Sequence, residues 1–243
     1  LVYDLDRSCV VWIGQGKGRK TIDRFFNEAL SDYQKARIRA ACCDMSQAYI
    51  GAIETHCPNA TLVLDRFHIV KTLNEAVDEV RKEQWREASQ ADRKALKGMR
   101  WLLYRHSSTR TRRDTANLKA LDKHNRRIYR AWRLKEEFEH FWTYKATWAA
   151  ERFLKHWTKS ALLSRLEPLR KFVHTLRRHQ QAVVAFIDTR VTNAIAEGIN
   201  RIVRMVNNRA SGYRHLDAFS DMIYLAAGDL DLPEQIPGRF RTL

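Results

Sequence analysis

The stretch from Ile38 to His68 admits few folds, because it reads as strand, acidic turn, helix, strand and second acidic turn. Ile38-Arg39-Ala40-Ala41-Cys42-Cys43 is a short apolar run that stops at Asp44, and Thr61-Leu62-Val63-Leu64 is another that stops at Asp65. Between them Ser46 can cap a helix in which Tyr49, Ile50 and Ile53 recur at helical spacing, and Pro58-Asn59 breaks the chain before the second strand. A crossover of this kind makes the two strands parallel. Ligands of open α/β sheets gather at the carboxyl ends of parallel strands, so Asp44 and the Asp65-Arg66-Phe67-His68 turn face the region where chemistry is expected.

Upstream, Leu1 to Asp6 and Cys9 to Ile13 are β-rich segments separated by a polar turn at Arg7-Ser8, which predicts a hairpin. The glycines from Gly14 to Gly18 lack both the P-loop ending and the Rossmann spacing, so this segment is read as a basic surface loop. Thr21 to Leu30 is an amphipathic helix with Ile22, Phe25, Phe26 and Leu30 on one side. After His68 strand patterning stops, and the chain to about Arg190 carries helical periodicity with charged faces. Ile69 to Ala88 and Arg93 to Arg105 are predicted helices. The basic break from Ser107 to Arg113, with Arg110, Arg112 and Arg113, is the best candidate for a loop that meets phosphates. Leu134, Phe138, Phe141, Tyr144 and Trp148 mark one helical face. Six of the seven tryptophans fall between Trp85 and Trp157 and are read chiefly as core, although Arg-interleaved aromatics can stack on exposed bases. Ser164 with Glu167 predicts a capping box for the next helix. Thr192 or Asn193 starts a further helix with Ile195, Ile199, Ile202 and Val206 buried. Its other stripe carries Glu197, Asn200, Arg201 and Arg204. Helical spacing alone makes Glu197 a surface partner of Arg201. A glycine stop near Gly212, a closing helix through Phe219 and Ile223 and a Pro-containing tail complete the chain.

Its 243 residues allow one large domain or two small ones, and the 44% apolar content suffices for a core. A formal charge of +16, from 44 Lys and Arg against 28 Asp and Glu, makes nucleic acid the first candidate partner. No apolar run approaches the ~20 residues of a membrane span. The four cysteines lack C-x-x-C spacing, so neither a zinc ribbon nor a disulfide framework is indicated, and a reducing cytosol fits best.

Cys43-Asp44-Met45-Ser46, Tyr49, Pro58-Asn59-Ala60 and the run from Asp65 to Lys71 occur in that order, followed by Asn193-Ala194-Ile195-Ala196-Glu197-Gly198-Ile199-Asn200. In this the chain resembles the DDE transposases of bacterial insertion sequences, in particular the family with a DxxH motif and a long helical insertion. The resemblance implies a mixed α/β fold: an RNase H-like domain whose first part is residues 1–70, interrupted by a helical insertion at 71–190 and resumed at 191–243. It implies Mg²⁺-dependent (or Mn²⁺-dependent) DNA cleavage and strand transfer at transposon ends and target, a homo-oligomer in the intact family, and a nucleoid-associated cytoplasmic protein. Asp44 and Glu197 take the positions of two catalytic, metal-holding carboxylates, and Asn193, Glu197, Gly198 and Asn200 match the Glu motif position by position. Asp65 and His68 form the family signature beside the site. From its chemistry His68 is a poor Mg²⁺ ligand and is read as a structural histidine. Arg110, Arg112, Arg113, Arg201 and Arg204 are the expected nucleic-acid contacts.

The family's first carboxylate lies on a strand upstream of the one that Leu1 to Asp6 resembles, so neither Asp4 nor Asp6 is promoted to its place. The expectation is a truncated transposase, inactive alone, whose two flanking strands either close up or leave an edge open. A non-catalytic, basic helical DNA-binding module, or an inactive transposase remnant, is the alternative.

Overall fold

The protein is described by a computed structural model covering residues 1–230 except 91, 92, 94, 95 and 193. It is helix-rich and mixed α+β. The expected hairpin forms: β1 (Val2–Asp4) pairs antiparallel with β2 (Cys9–Trp12), Tyr3 opposite Val10. Its turn is held by Asp4, whose Oδ1 accepts the N–H groups of Asp6 at 2.9 Å and Arg7 at 3.0 Å, while Ser8 takes a left-handed φ of 56°. Helix α1 (Arg19–Glu28) buries Phe25 and Phe26. A short α2 (Asp32–Ala36) follows, opened by a complete capping box between Ser31 and Gln34.

The βαβ unit is present as read. β3 (Ala40–Cys43) and β4 (Thr61–Leu64) are parallel, in register from Ala40 opposite Thr61 to Cys43 opposite Leu64, and are joined through α3 (Gln47–His56). The two strand pairs do not close up. Among the described residues β1 pairs only with β2, and β3 only with β4. They share instead a small core in which Val2 and Trp12 of the hairpin meet Phe25, Phe26, Ala41, Ile53 and Leu62.

Between β4 and the Glu197 helix the described residues contain only helices and 3-10 turns. α4 (Arg66–Glu87) starts one residue after β4, so a boundary after residue 70 falls inside a helix. The predicted Arg93–Arg105 helix is interrupted at Gly98, which adopts a left-handed φ of 79°: Arg93 and Leu96 before it are helical and α5 (Met99–Tyr104) follows it, while positions 94 and 95 lie outside the described residues. There follow α6 (Arg112–His124), α7 (Arg126–Glu139), α8 (Thr147–Leu163), α9 (Glu167–Arg178) and α10 (Gln180–Thr189). α4 packs against α7 and α9, and α10 lies on β4. Val63 and Leu64 are thus fully buried in the same core as Phe138, Phe141, Trp157 and Phe172. Each such large apolar side chain contributes about 1.5–3 kcal/mol on burial, and the Trp157 indole N–H is also satisfied, donating to the Leu134 carbonyl at 2.8 Å.

Two local predictions fail for identifiable reasons. The face from Leu134 to Trp148 is not one helix: α7 ends at Glu139, a 3-10 turn spans His140–Thr143, and Tyr144 is extended, so Phe141 is buried while Trp148 is 69% exposed. Nor does Ser164 form a capping box. Its hydroxyl donates back to the Ala161 carbonyl at 2.6 Å and accepts the Leu166 N–H at 3.3 Å, and α9 is capped by Leu166 with Pro168 in its first turn. α11 (Ala194–Arg209) then packs through Ile199 on Val10 of the hairpin and on Ile223 of α12 (Leu216–Ala227). The predicted glycine stop is Gly212, at φ 100°, whose N–H donates to the Asn207 carbonyl at 3.0 Å. The Pro-containing tail from residue 231 lies outside the described residues.

Candidate functional site

The parallel pairing places two acidic turns side by side. Because Cys43 is opposite Leu64, the residues that follow them, Asp44 and Asp65, leave adjacent strands together, and the Asp65 N–H donates to the Cys43 carbonyl at 2.9 Å. Asp44 is half-buried. Its Oδ1 accepts the Ser46 N–H at 2.9 Å, which turns the chain into α3; Ser46 is the cap residue as predicted, but its own hydroxyl makes no capping bond. Burial, helped by the Asp44 and Cys43 charges, raises the Tyr49 hydroxyl pKa. The thiol of Cys43 is pushed up to about 12, chiefly by burial and further by Cys42, Asp44 and Asp65, so it is no nucleophile.

Asp65 is only 6% exposed and serves two partners. Oδ1 accepts the Phe67 N–H at 3.1 Å, capping α4, and Oδ2 lies 2.7 Å from His68 Nδ1. The imidazole is therefore braced by its carboxylate, with its other nitrogen left for a neighbour. This agrees with a histidine whose first duty is structural.

Glu197 is exposed on the first turn of α11. That turn is located from the hairpin side: the Tyr3 hydroxyl donates to Asn200 Oδ1 at 3.1 Å, and Arg204 Nε donates to the Asn200 carbonyl at 3.2 Å. Arg201 and Arg204 are exposed. Asn193, expected to open the Glu motif, lies outside the described residues. Among the described residues no three His, Cys, Asp or Glu side chains form a group able to hold a metal ion. The donor chemistry of Asp44 and Glu197 nevertheless suits a hard divalent ion, since carboxylate oxygens are what Mg²⁺ and Mn²⁺ prefer.

The expected phosphate loop divides. Arg112 and Arg113 are exposed at the start of α6, but Arg110 is turned inward, its side chain 9% exposed. Its guanidinium pairs with Glu136, donates to the Arg105 carbonyl at 2.9 and 3.0 Å, and lies 5.4 Å over the Trp132 ring. Lys135, also buried, joins the same carboxylate at 2.9 Å and donates to the Leu103 carbonyl at 2.9 Å. Sequence reasoning missed this cluster because the basic break from Ser107 to Arg113 was read as a loop that meets phosphates. The placement of Trp132, Lys135 and Glu136 at helical spacing on one face of α7 was the available signal.

A basic, helix-rich α+β chain with carboxylates at a parallel-strand edge is thereby defined. The chain belongs to the ISL3-type DDE transposase family, whose model, described as "Transposase", matches residues 1–223. It is similar to the transposase for insertion sequence element IS1001 of Bordetella parapertussis, 32% identical over 213 residues that make up 86% of this chain and 52% of that protein. It is also similar to the transposase for insertion sequence element IS1557 of Mycobacterium tuberculosis, 26% identical over 237 residues, 88% of this chain and 53% of that protein. The chain thus spans about half the length of the curated relatives it matches. No solved structure matches it. No helix among the described residues is long and apolar enough to cross a membrane.

Proposed function

We propose that this chain carries the catalytic region of an insertion-sequence transposase, acting on DNA at transposon ends and target. The observation that carries the proposal is the placement of Asp44 at the carboxyl end of β3, level with the Asp65 turn, in a chain of this family. Asp44 and Glu197 would hold Mg²⁺ or Mn²⁺, which supplies charge stabilisation at both oxygens of a phosphodiester when bound. The rest of the machinery orients them. Ser46 fixes one oxygen of Asp44, Asp65 and His68 brace the neighbouring turn, and Tyr3 locks Asn200 one helical turn from Glu197. Arg112, Arg113, Arg201 and Arg204 lie exposed, available to DNA phosphates, whereas Arg110 orders the loop before α6. In this reading residues 1–70 and 191–243 make up an RNase H-like unit that carries the carboxylates, and 71–190 is a helical insertion.

Mn²⁺ binding followed by electron paramagnetic resonance tests the carboxylates without requiring turnover. The wild-type chain is expected to bind the ion, and Asp44→Asn and Glu197→Gln should each weaken binding at least tenfold. Equal binding by all three proteins would overturn the assignment and favour the non-catalytic DNA-binding module.

A further inference from the structure

Helix α9 carries a cationic stripe that the family motifs do not touch. At 100° per residue, Arg170, Lys171, His174, Arg177 and Arg178 fall within about a third of the helix circumference, opposite the buried Leu169, Phe172, Val173 and Leu176. All five are exposed. Arg170 is paired with Glu167 at 3.5 Å; among the described residues no ion pair engages Lys171, Arg177 or Arg178. α1 and the middle of α4 balance cations with acids one turn away, as in Arg19 with Asp23 and Lys82 with Glu79. Glu167, in the first turn, is the only acid of α9, so Arg177 and Arg178 have no opposite charge near them on their own helix and leave an uncompensated positive face that suits a polyanion.

The stripe also leads somewhere. At its carboxyl end His179 Nε2 lies 3.2 Å from Nε2 of Gln47, the first residue of α3 and three positions after Asp44. Burial, then the Arg178 charge, lowers the His179 pKa, and the exposed Glu54 of α3 opposes that shift. We infer that the exposed face of α9 is a track for the phosphodiester backbone of duplex DNA, delivering it to the turn that bears Asp44. From Arg170 to Arg178 the stripe is ~12 Å long, and Lys171, Arg177 and Arg178 can each meet a phosphate of the duplex. This rests on the DNA reading above and adds to it the surface by which DNA approaches.

Salt-dependent binding of a labelled duplex by the complete chain tests it, comparing wild type with Lys171→Gln/Arg177→Gln/Arg178→Gln. An equal charge change at the exposed Arg24→Gln of α1 together with Arg37→Gln/Arg39→Gln just before β3 serves as control. The α9 variant should lose up to about 2.7 from the slope of log K against log salt, at ~0.9 per phosphate contact, and the control less than half of that. Lysine footprinting of the unaltered chain gives a readout free of folding effects: bound duplex should protect Lys171 from acetylation. A wild-type slope retained by the α9 variant, an equal loss in the control, or an unprotected Lys171 would overturn the track while leaving the DNA reading intact. A wild-type chain with no salt-dependent binding would overturn both.

Discussion

His68 Nδ1 lies 2.7 Å from Oδ2 of Asp65, a carboxylate that is almost closed to solvent and also caps α4. One side chain therefore serves a helix end and an imidazole at once. Asp65→Ala removes both and leaves the His68 N–H without its acceptor; a loss of about 2–3 kcal/mol is expected from the cap and the unsatisfied donor together. Asp65→Asn keeps the amide oxygen for the cap and should cost about half as much. Urea unfolding of the two variants checks the order, and an alanine variant as stable as wild type would remove the bracing role.

Stability should fall with acid through Glu136. Burial alone would raise its pKa, but the hydrogen bonds and charges of Arg110 and Lys135 prevail and hold it below the ordinary 4.5. The folded-state pKa is depressed, so the stabilisation is fully present above about pH 4.5 and is lost as pH falls through the lowered value. Glu136→Gln is expected to cost about 2 kcal/mol at pH 7, less than the ~3–5 of a fully buried pair, because the side chain is 22% exposed. Unfolding free energy measured from pH 7 to pH 3 should then fall less steeply in the variant than in wild type.

The tryptophans should separate by environment. Trp157 is fully buried and hydrogen-bonded, so Trp157→Ala should cost about 3–5 kcal/mol. Trp148 is mostly exposed, and Trp148→Ala should change stability by no more than about 0.5 kcal/mol. Thermal melts of both variants decide this directly.

On the reading proposed above, carboxylate function is tested by transposition in cells, with a transposase that carries this chain. There Asp44→Asn or Glu197→Gln should abolish transposition in cells while leaving retention on transposon-end DNA unchanged in a gel shift. Loss of DNA binding along with activity would point to misfolding of the edge, and undiminished transposition would remove the residues from the mechanism.

The sequence was most legible where chemistry and periodicity agreed. Ile38 to His68 could be read as βαβ because two apolar runs each stop at an Asp, and the hairpin and the glycine stop at Gly212 followed from turn chemistry. α2 was missed although Ser31 and Gln34 spell its capping box; five residues are too few for periodicity to register. Ser164 and Glu167 spell the same signal but do not form it, because Arg165 takes a left-handed φ of 57° and reverses the serine. Of the aromatic run after Leu134, Phe138, Phe141 and Trp142 stay in the core even though the helix breaks, since a 3-10 turn can still aim the last two inward, whereas Trp148 turns outward. Arg110 was misplaced because nothing within the basic break itself points to Glu136, far along the chain, as its partner. The Asp44 edge was visible from local pattern. The hairpin as the seat of the Glu197 helix was not, since Tyr3 and Asn200 meet across almost the whole chain.

α4 leaves β4 with Asp65 as its only intervening residue and runs for 22 residues, about 33 Å at 1.5 Å each. Such a rod is a lever with its fulcrum at the acidic turn. Held rigid, such a rod turns a 5° tilt at the acidic turn into about 3 Å of travel at its far end. Asp65 is thereby the single residue through which the strand edge and the longest helix among the described residues are covalently joined.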